Sequence, residues 1–160
     1  DGELDLAMGF LPDLGADFHR QSLFAETWAC VLSKDHPTIG ETLTEAQYIA
    51  ASHVAYQPAV SIHSVLDQLL VAQFSSKGIK RKIGLSVPYW IGLASTIAAC
   101  DLLLTAPVGP ALSMTQLANV RIVPLPFELP KIDLCMQWQT RMHRDPANQW
   151  FRNLCATTYL

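Results

Sequence analysis

Histidine is the side chain whose ordinary pKa puts its charge change between pH 5 and 8, and this 160-residue chain holds five of them. His53 stands apart, because it lies in the short β-prone run Ala51-Ser52-His53-Val54-Ala55-Tyr56-Gln57-Pro58. A neutral imidazole there can donate one hydrogen bond and accept another, and a protonated one can pair with a carboxylate or phenolate. The same residues fit an ordinary packed core histidine. His63 precedes a helix start and reads as surface. His19, His36 and His143 are isolated in turn or strand-end contexts and read as structural.

No nucleophile–base–orienter set accompanies these histidines. The chain has no G-x-S-x-G, P-loop, G-x-G-x-x-G or H-E-x-x-H, and its carboxylates are scattered rather than paired on one face. Cys30, Cys100, Cys135 and Cys155 lie far apart without a C-x-x-C, which argues against a zinc site and a dense disulfide framework. Buried thiols in a reducing cytoplasm are expected, with no metal, no cofactor and no enzymatic reaction.

Half of the residues are hydrophobic and 16% are charged, enough to bury a core. At roughly 150 residues per domain, the length fits one domain or two small lobes. A net charge of -3 and a pI near 5.9 leave no electrostatic footprint for nucleic acid. The densest basic run, Lys77-Gly78-Ile79-Lys80-Arg81-Lys82, reads as a helix C-terminus, where cations suit the macrodipole, followed by a solvated strand start. No apolar run approaches the ~20 residues of a membrane span, and no leader is seen.

The elements that position His53 follow from periodicity. Leu4-Asp5-Leu6-Ala7-Met8-Gly9 reads as a strand with almost nothing before it to pair with, as if the chain joins a fold partway through. Leu11-Pro12-Asp13-Leu14-Gly15 has turn chemistry. Residues 21–26 and 27–33 read as one or two strands, ended by Pro37. Residues 44–48 form one helical turn before the His53 strand. A helix follows over 64–77, with Val65, Leu66, Leu69, Leu70 and Phe74 as its stripe, Ser64 and Asp67 at capping-box spacing and Gly78 as its stop. In residues 82–87 Ile83, Leu85 and Val87 alternate with Lys82, Gly84 and Ser86. Further helices are expected over 90–100 and 107–118. Strands are expected at the apolar run 102–106, covered on both faces, and at 120–125.

This alternation predicts an α/β chain with a largely parallel sheet and right-handed crossovers. Past Pro124, Pro126 and Pro130, Ile132, Leu134, Met136 and Trp138 mark another strand. The last helix has Asp145 as N-cap and Pro146 at N1, with Ala147, Trp150, Phe151, Leu154, Cys155 and Thr158 as its core-facing stripe. Chain crossings near 45–50 and 124–131 suggest two hinged lobes: residues 1–47 with 126–160, and residues 48–125. Open parallel sheets bind ligands at the carboxyl ends of their strands, which makes the hinge cleft the expected site.

In order and spacing, Gly2-x-Leu4-Asp5-Leu6-Ala7-x-Gly9, Cys30-Val31-Leu32, Lys34-Asp35-His36-Pro37 and His53-Val54 resemble the effector-binding domain of LysR-type transcriptional regulators. Lys80-Arg81-Lys82, Val87-Pro88, Asp101-Leu102-Leu103-Leu104-Thr105-Ala106-Pro107 and Asp145-Pro146-Ala147-x-x-Trp150-Phe151-Arg152 resemble its branch of salicylate-type aromatic sensors and nodulation regulators. The resemblance covers essentially the whole chain. It implies a two-lobed α/β fold like type 2 periplasmic binding proteins, with the N-terminal part of lobe one missing. It also implies a cytoplasmic protein, a small aromatic or phenolic effector between the lobes, and a homo-oligomer formed through effector domains. Operator DNA would be bound only through an absent N-terminal domain.

By the resemblance, His53 lines the effector cleft. Tyr89 stands where close relatives often carry a second histidine; tyrosine offers a hydroxyl and an aromatic wall but no cation, which favours a phenolic or larger aromatic ligand. Trp90 is a second wall or simply core. Gly9, Phe10 and Leu11 follow the first strand at its cleft-facing end. The alternatives are a transport-type solute-binding protein of similar architecture and an oligomerisation module with a vestigial cleft.

Overall fold

The computed structural model describes residues 4–11, 13–57, 65–75 and 78–159. His63 and Ser64, and with them the capping box expected at the second helix, lie outside the described residues. The chain divides into two compact units, Asp1–Glu26 with Lys131–Leu160, and Thr27–Pro130. These boundaries differ from the expected 47/48 and 125/126. The reason is where Trp28–Ser33 pairs, which no local pattern in the sequence reveals.

In the first unit, β1 (Ala7–Gly9) and β2 (Phe18–Glu26) flank β8 (Ile132–Gln139), both antiparallel to it. A register shift between Ser22 and Phe24 bulges β2 at Leu23. Leu23, Met136, Trp138 and Ala156 form the buried core with α5 (Pro146–Tyr159). The Asp145 side chain accepts from the Asn148 amide at 2.7 Å, the N-cap bond read from the sequence.

The stripe expected to be core on α5 is not buried. Trp150 is 66% exposed, and Phe151 and Leu154 are each 47% exposed. Asn148, Arg152 and Ala156 are buried instead. Arg152 holds its guanidinium carbon 4.2 Å from the centre of the Trp138 ring and donates to the carbonyls of Met142 and His143 and to Asn148 Oδ1. Apolar spacing marked a real face of the helix, but this polar network turns the opposite one inward. His19 and His143 are not isolated: their ring centroids are 3.9 Å apart, and His143 Nδ1 accepts from the Trp138 indole at 3.3 Å. Desolvation first, then the charges of His19, Arg152 and Arg144, hold the His143 imidazole below its usual range.

The second unit is a five-stranded sheet, order β5-β4-β6-β3-β7, from β3 (Trp28–Ser33), β4 (Ser52–Tyr56), β5 (Lys82–Val87), β6 (Leu103–Pro107) and β7 (Val120–Pro124). The helices are α1 (Glu45–Ala50), α2 (Val65–Ser75), α3 (Leu93–Ala98) and α4 (Val108–Leu117). β4 pairs in parallel with β5 and β6. β3 lies antiparallel between β6 and β7, so the sheet is mixed rather than largely parallel. All six residues of β3 except Trp28 are buried, as a strand covered on both faces requires.

One face of this sheet packs Val31, Val54, Leu104 and Ala106 against Leu93, Ile97, Ala111 and Met114 of α3 and α4. The other packs Cys30, Leu32, Leu103 and Val123 against Tyr48, Leu70 and Phe74 of α1 and α2. The one helical turn expected at 44–48 is a capped helix. Thr44 accepts from the Gln47 amide at 3.2 Å while Gln47 Oε1 accepts from the Thr44 amide at 2.9 Å. Gly78, at φ +65°, supplies the left-handed turn after α2. No helix of the described residues is long and apolar enough to cross a membrane.

Candidate functional site

β4 carries His53 into the α1/α2 side of its sheet, where the residue is wholly buried. Its Nε2 lies 2.8 Å from the Tyr48 carbonyl oxygen, so the neutral ring keeps its proton on Nε2 and donates it. Tyr48 also sets its ring 4.4 Å from the imidazole centroid, tilted by 52°. Burial lowers the imidazole to about 4, against the bond to Tyr48 and with the charge of Arg81. His53 is therefore a neutral ring near pH 7, without the cation that would pair with a carboxylate. Nδ1 meets no hydrogen-bond partner among the described residues.

Around His53 stands an aromatic box. Tyr48, Phe74 and Phe127 contact one another at centroid distances of 4.9 to 5.8 Å. The Tyr48 and Thr105 hydroxyls share a hydrogen bond of 2.7 Å, and burial pushes the phenol up to about 12. The plain reading of a packed histidine describes this geometry.

Tyr89 and Trp90 behave differently. Pro88 has ended β5, leaving Tyr89 69% exposed. Trp90 is half-buried, 4.7 Å from the ring of Tyr56 at a 41° tilt. It packs on the α3/α4 side of the sheet, the face opposite His53. No hydrogen bond or ring contact joins His53 to Tyr89. Trp90 also forms one wall of an apolar cavity of about 500 Å³, completed by Ala94, Ser95, Pro110, Met114 and Leu117. The hydroxyls of Ser95 and Ser113 are the polar side-chain groups of this otherwise apolar lining.

In the other unit, Gly9 pairs with Cys135 across the sheet, and its carbonyl faces the Cys135 thiol at 3.7 Å. Phe10 is 40% exposed, and the Leu11 carbonyl accepts from Arg20 at 3.4 Å. All four cysteines are free thiols, two of them buried, and burial pushes Cys30 up to about 12. Among the described residues, no group of three or more His, Cys, Asp or Glu side chains is placed to hold a metal.

Two residues that composition and pattern passed over have clear places. Arg81, read as part of a solvated basic run, has a side chain only 10% exposed and donates to Asp67 at 2.6 Å. Tyr56 backs Trp90. The spacing of Asp67 and Arg81 gives no local signal, since a helix and a turn separate them. The Thr44-x-x-Gln47 box that places Tyr48 was legible.

The LysR substrate binding domain family matches residues 1–159. The chain is 32% identical over 153 residues to the HTH-type transcriptional activator NagR of Ralstonia sp. and 32% identical over 154 residues to the HTH-type transcriptional activator NahR of Pseudomonas putida. Each match covers 96% of this chain and 50% of the relative, so the chain spans about half the length of these curated relatives. Among solved structures, the regulatory domain of MexT, a transcriptional activator in Pseudomonas aeruginosa, superposes with a TM-score of 0.83 at 23% identity, over 99% of this chain and 76% of that one.

Proposed function

The chain belongs to the LysR substrate binding domain family, with the α/β, periplasmic-binding-protein-like fold of LysR regulatory domains, and on that premise we propose that it senses a small aromatic or phenolic effector. Family membership over residues 1–159 supports a regulatory, effector-binding domain of a transcriptional regulator. The observation that carries the aromatic class is Trp90, backed by the ring of Tyr56, at the wall of an apolar cavity of about 500 Å³. The 32% identity to NagR and NahR agrees with the branch resemblance in the sequence.

Trp90 offers the effector a ring face, and Tyr89 a hydroxyl with an exposed aromatic edge. His53, wholly buried on the opposite face of the sheet, is a separate proposed contact, through Nδ1 alone. A neutral imidazole there offers a lone pair, so the matching group is a phenolic hydroxyl rather than a carboxylate. Gly9, Phe10 and Leu11 form a separate proposed contact set. One small ring does not span both faces of a sheet, so the His53 and Trp90 variants report on different contacts.

In the intact regulator, effector binding shifts a conformational equilibrium only by its differential affinity for the two states. That shift would pass to DNA-binding heads, in a cytoplasmic protein that oligomerises through these domains. No catalytic step is assigned. The test is calorimetric titration with a panel of salicylate-type and phenolic compounds, followed by Trp90→Ala, Tyr89→Ala, His53→Gln and Phe10→Ala. Saturable binding of a phenolic compound, weakened about tenfold or more by Trp90→Ala, is expected. Failure of the whole panel to bind, or binding indifferent to all four substitutions, sinks the reading.

A further inference from the structure

We propose that the corner between β8 and α5 is a proton-operated latch, closed while the His143 ring is neutral and stacked on His19, and opened when that ring takes up a proton. One hydrogen bond requires the neutral ring. The Trp138 indole N–H donates to His143 Nδ1 at 3.3 Å, and an indole can only donate. Protonation puts a hydrogen on both imidazole nitrogens, so Nδ1 turns from acceptor to donor and faces the indole donor to donor. Trp138 is buried, and its N–H loses the acceptor that the closed corner gives it.

The surroundings oppose the added charge from each packed element. On β2, His19 stacks its ring 3.9 Å from that of His143, at 19°. On α5, Arg152 sets its guanidinium carbon 4.2 Å from the Trp138 ring centre. Arg144 follows His143 directly. These are the charged groups that act on the ring; all three are cationic groups, and they add to desolvation in disfavouring the imidazolium. The neighbouring acids and arginine have other partners. Asp145 has Oδ1 on the Asn148 amide at 2.7 Å, Asp17 meets Thr140 through its backbone carbonyl, and Arg141 donates to Gln139 Oε1 at 2.6 Å.

The exit is open. His143 is exposed, so water can deliver the proton and receive the ring. In water the imidazole binds its proton more tightly than in the stack. The closed corner is therefore fully favoured above the ordinary value of 6.5 and loses ground as pH falls below it. Beside the ring, Arg152 and Gln149 donate to the His143 carbonyl, each at 3.1 Å, and neither group titrates in this range. The latch thus opens at the ring while α5 stays seated.

This inference rests on no part of the Trp90 reading. The test is an NMR titration of the whole chain between about pH 7.5 and pH 5, where histidines change charge. It follows the His143 ring protons and the solvent exchange of the Trp138 indole N–H. Trp28 is the internal reference, because its indole donates to an acceptor that does not titrate, the Pro130 carbonyl, at 2.9 Å. Exchange at Trp138 relative to Trp28 is expected to rise about tenfold or more, with the midpoint of His143 itself. His143→Asn offers an amide oxygen that accepts at any pH and should abolish the rise. His19→Asn removes one of the opposing charges and should move the midpoint upward.

A ratio that stays level while His143 titrates overturns the proposal, whether neither indole responds or both open together in global unfolding. So does a rise that persists in His143→Asn.

Discussion

The imidazole Nε2 of His53 donates to the carbonyl of Tyr48, 2.8 Å away and five residues earlier. Tyr48 lies in the last turn of α1, where carbonyls lack intrahelical donors. The bond therefore satisfies an orphan acceptor and ties the helix to β4. The burial that seats the ring against Tyr48 also keeps it neutral.

A pH dependence follows. The histidine has an ordinary value of 6.5 and a folded value of about 4. Between these limits the unfolded chain binds more protons than the folded one. Stability from this group is fully present above pH 6.5 and is lost as pH falls toward 4, by up to roughly 3 kcal/mol. Urea unfolding at pH 7 and pH 4.5 measures it. His53→Gln keeps a donor without a titrating ring, so its stability should fall less between those two conditions. An identical fall in both proteins would show that His53 is not the group responsible.

The hydroxyl pair of Tyr48 and Thr105, at 2.7 Å, is buried on the same side of the sheet. Tyr48→Phe leaves the Thr105 hydroxyl without this partner and should cost about 1–3 kcal/mol. Tyr48→Phe combined with Thr105→Val removes both groups and should recover part of that loss. Denaturant midpoints for Tyr48→Phe, Thr105→Val and the double variant close the cycle; strictly additive losses would mean the two hydroxyls are not coupled.

The elements around these residues were legible because each has a local cause: the Thr44 box, Gly78 after α2, Asp145 before α5. What could not be read depends on partners distant in sequence. β2 and β3 are separated by Thr27 alone, yet β3 pairs with β6 and β7 in another sheet. The apolar stripe Trp150–Phe151–Leu154 has helical spacing, but spacing cannot say which face turns inward when Arg152 finds Trp138 and two carbonyls. His53 was legible as a residue of interest; its neutral state was not, since that comes from Tyr48 and from burial.

Gly84 offers a sharper test of a single backbone position. Gly84→Ala places a methyl group against the end of Leu102, a side chain able to give way, and should cost about 1 kcal/mol. Gly84→Val adds two methyl groups to a Cβ that already meets Leu102 and Ser52, and should cost about 2–3 kcal/mol. Thermal unfolding of both variants distinguishes this graded response from an indifferent loop, which would show no difference between them.

Arg152 tests the inverted face of α5. The guanidinium covers Trp138 at 4.2 Å and donates to the His143 carbonyl at 3.1 Å and the Met142 carbonyl at 3.4 Å. Lysine keeps the charge but loses the planar fork, so Arg152→Lys should cost about 1–3 kcal/mol. Arg152→Met keeps an apolar stem over the indole and strands both carbonyls, and should cost at least as much. Leu154→Ala changes a residue on the exposed stripe and should stay within about 1 kcal/mol. If Leu154→Ala proves the most damaging of the three in urea, the stripe read from the sequence, and not the Arg152 face, is the one that packs.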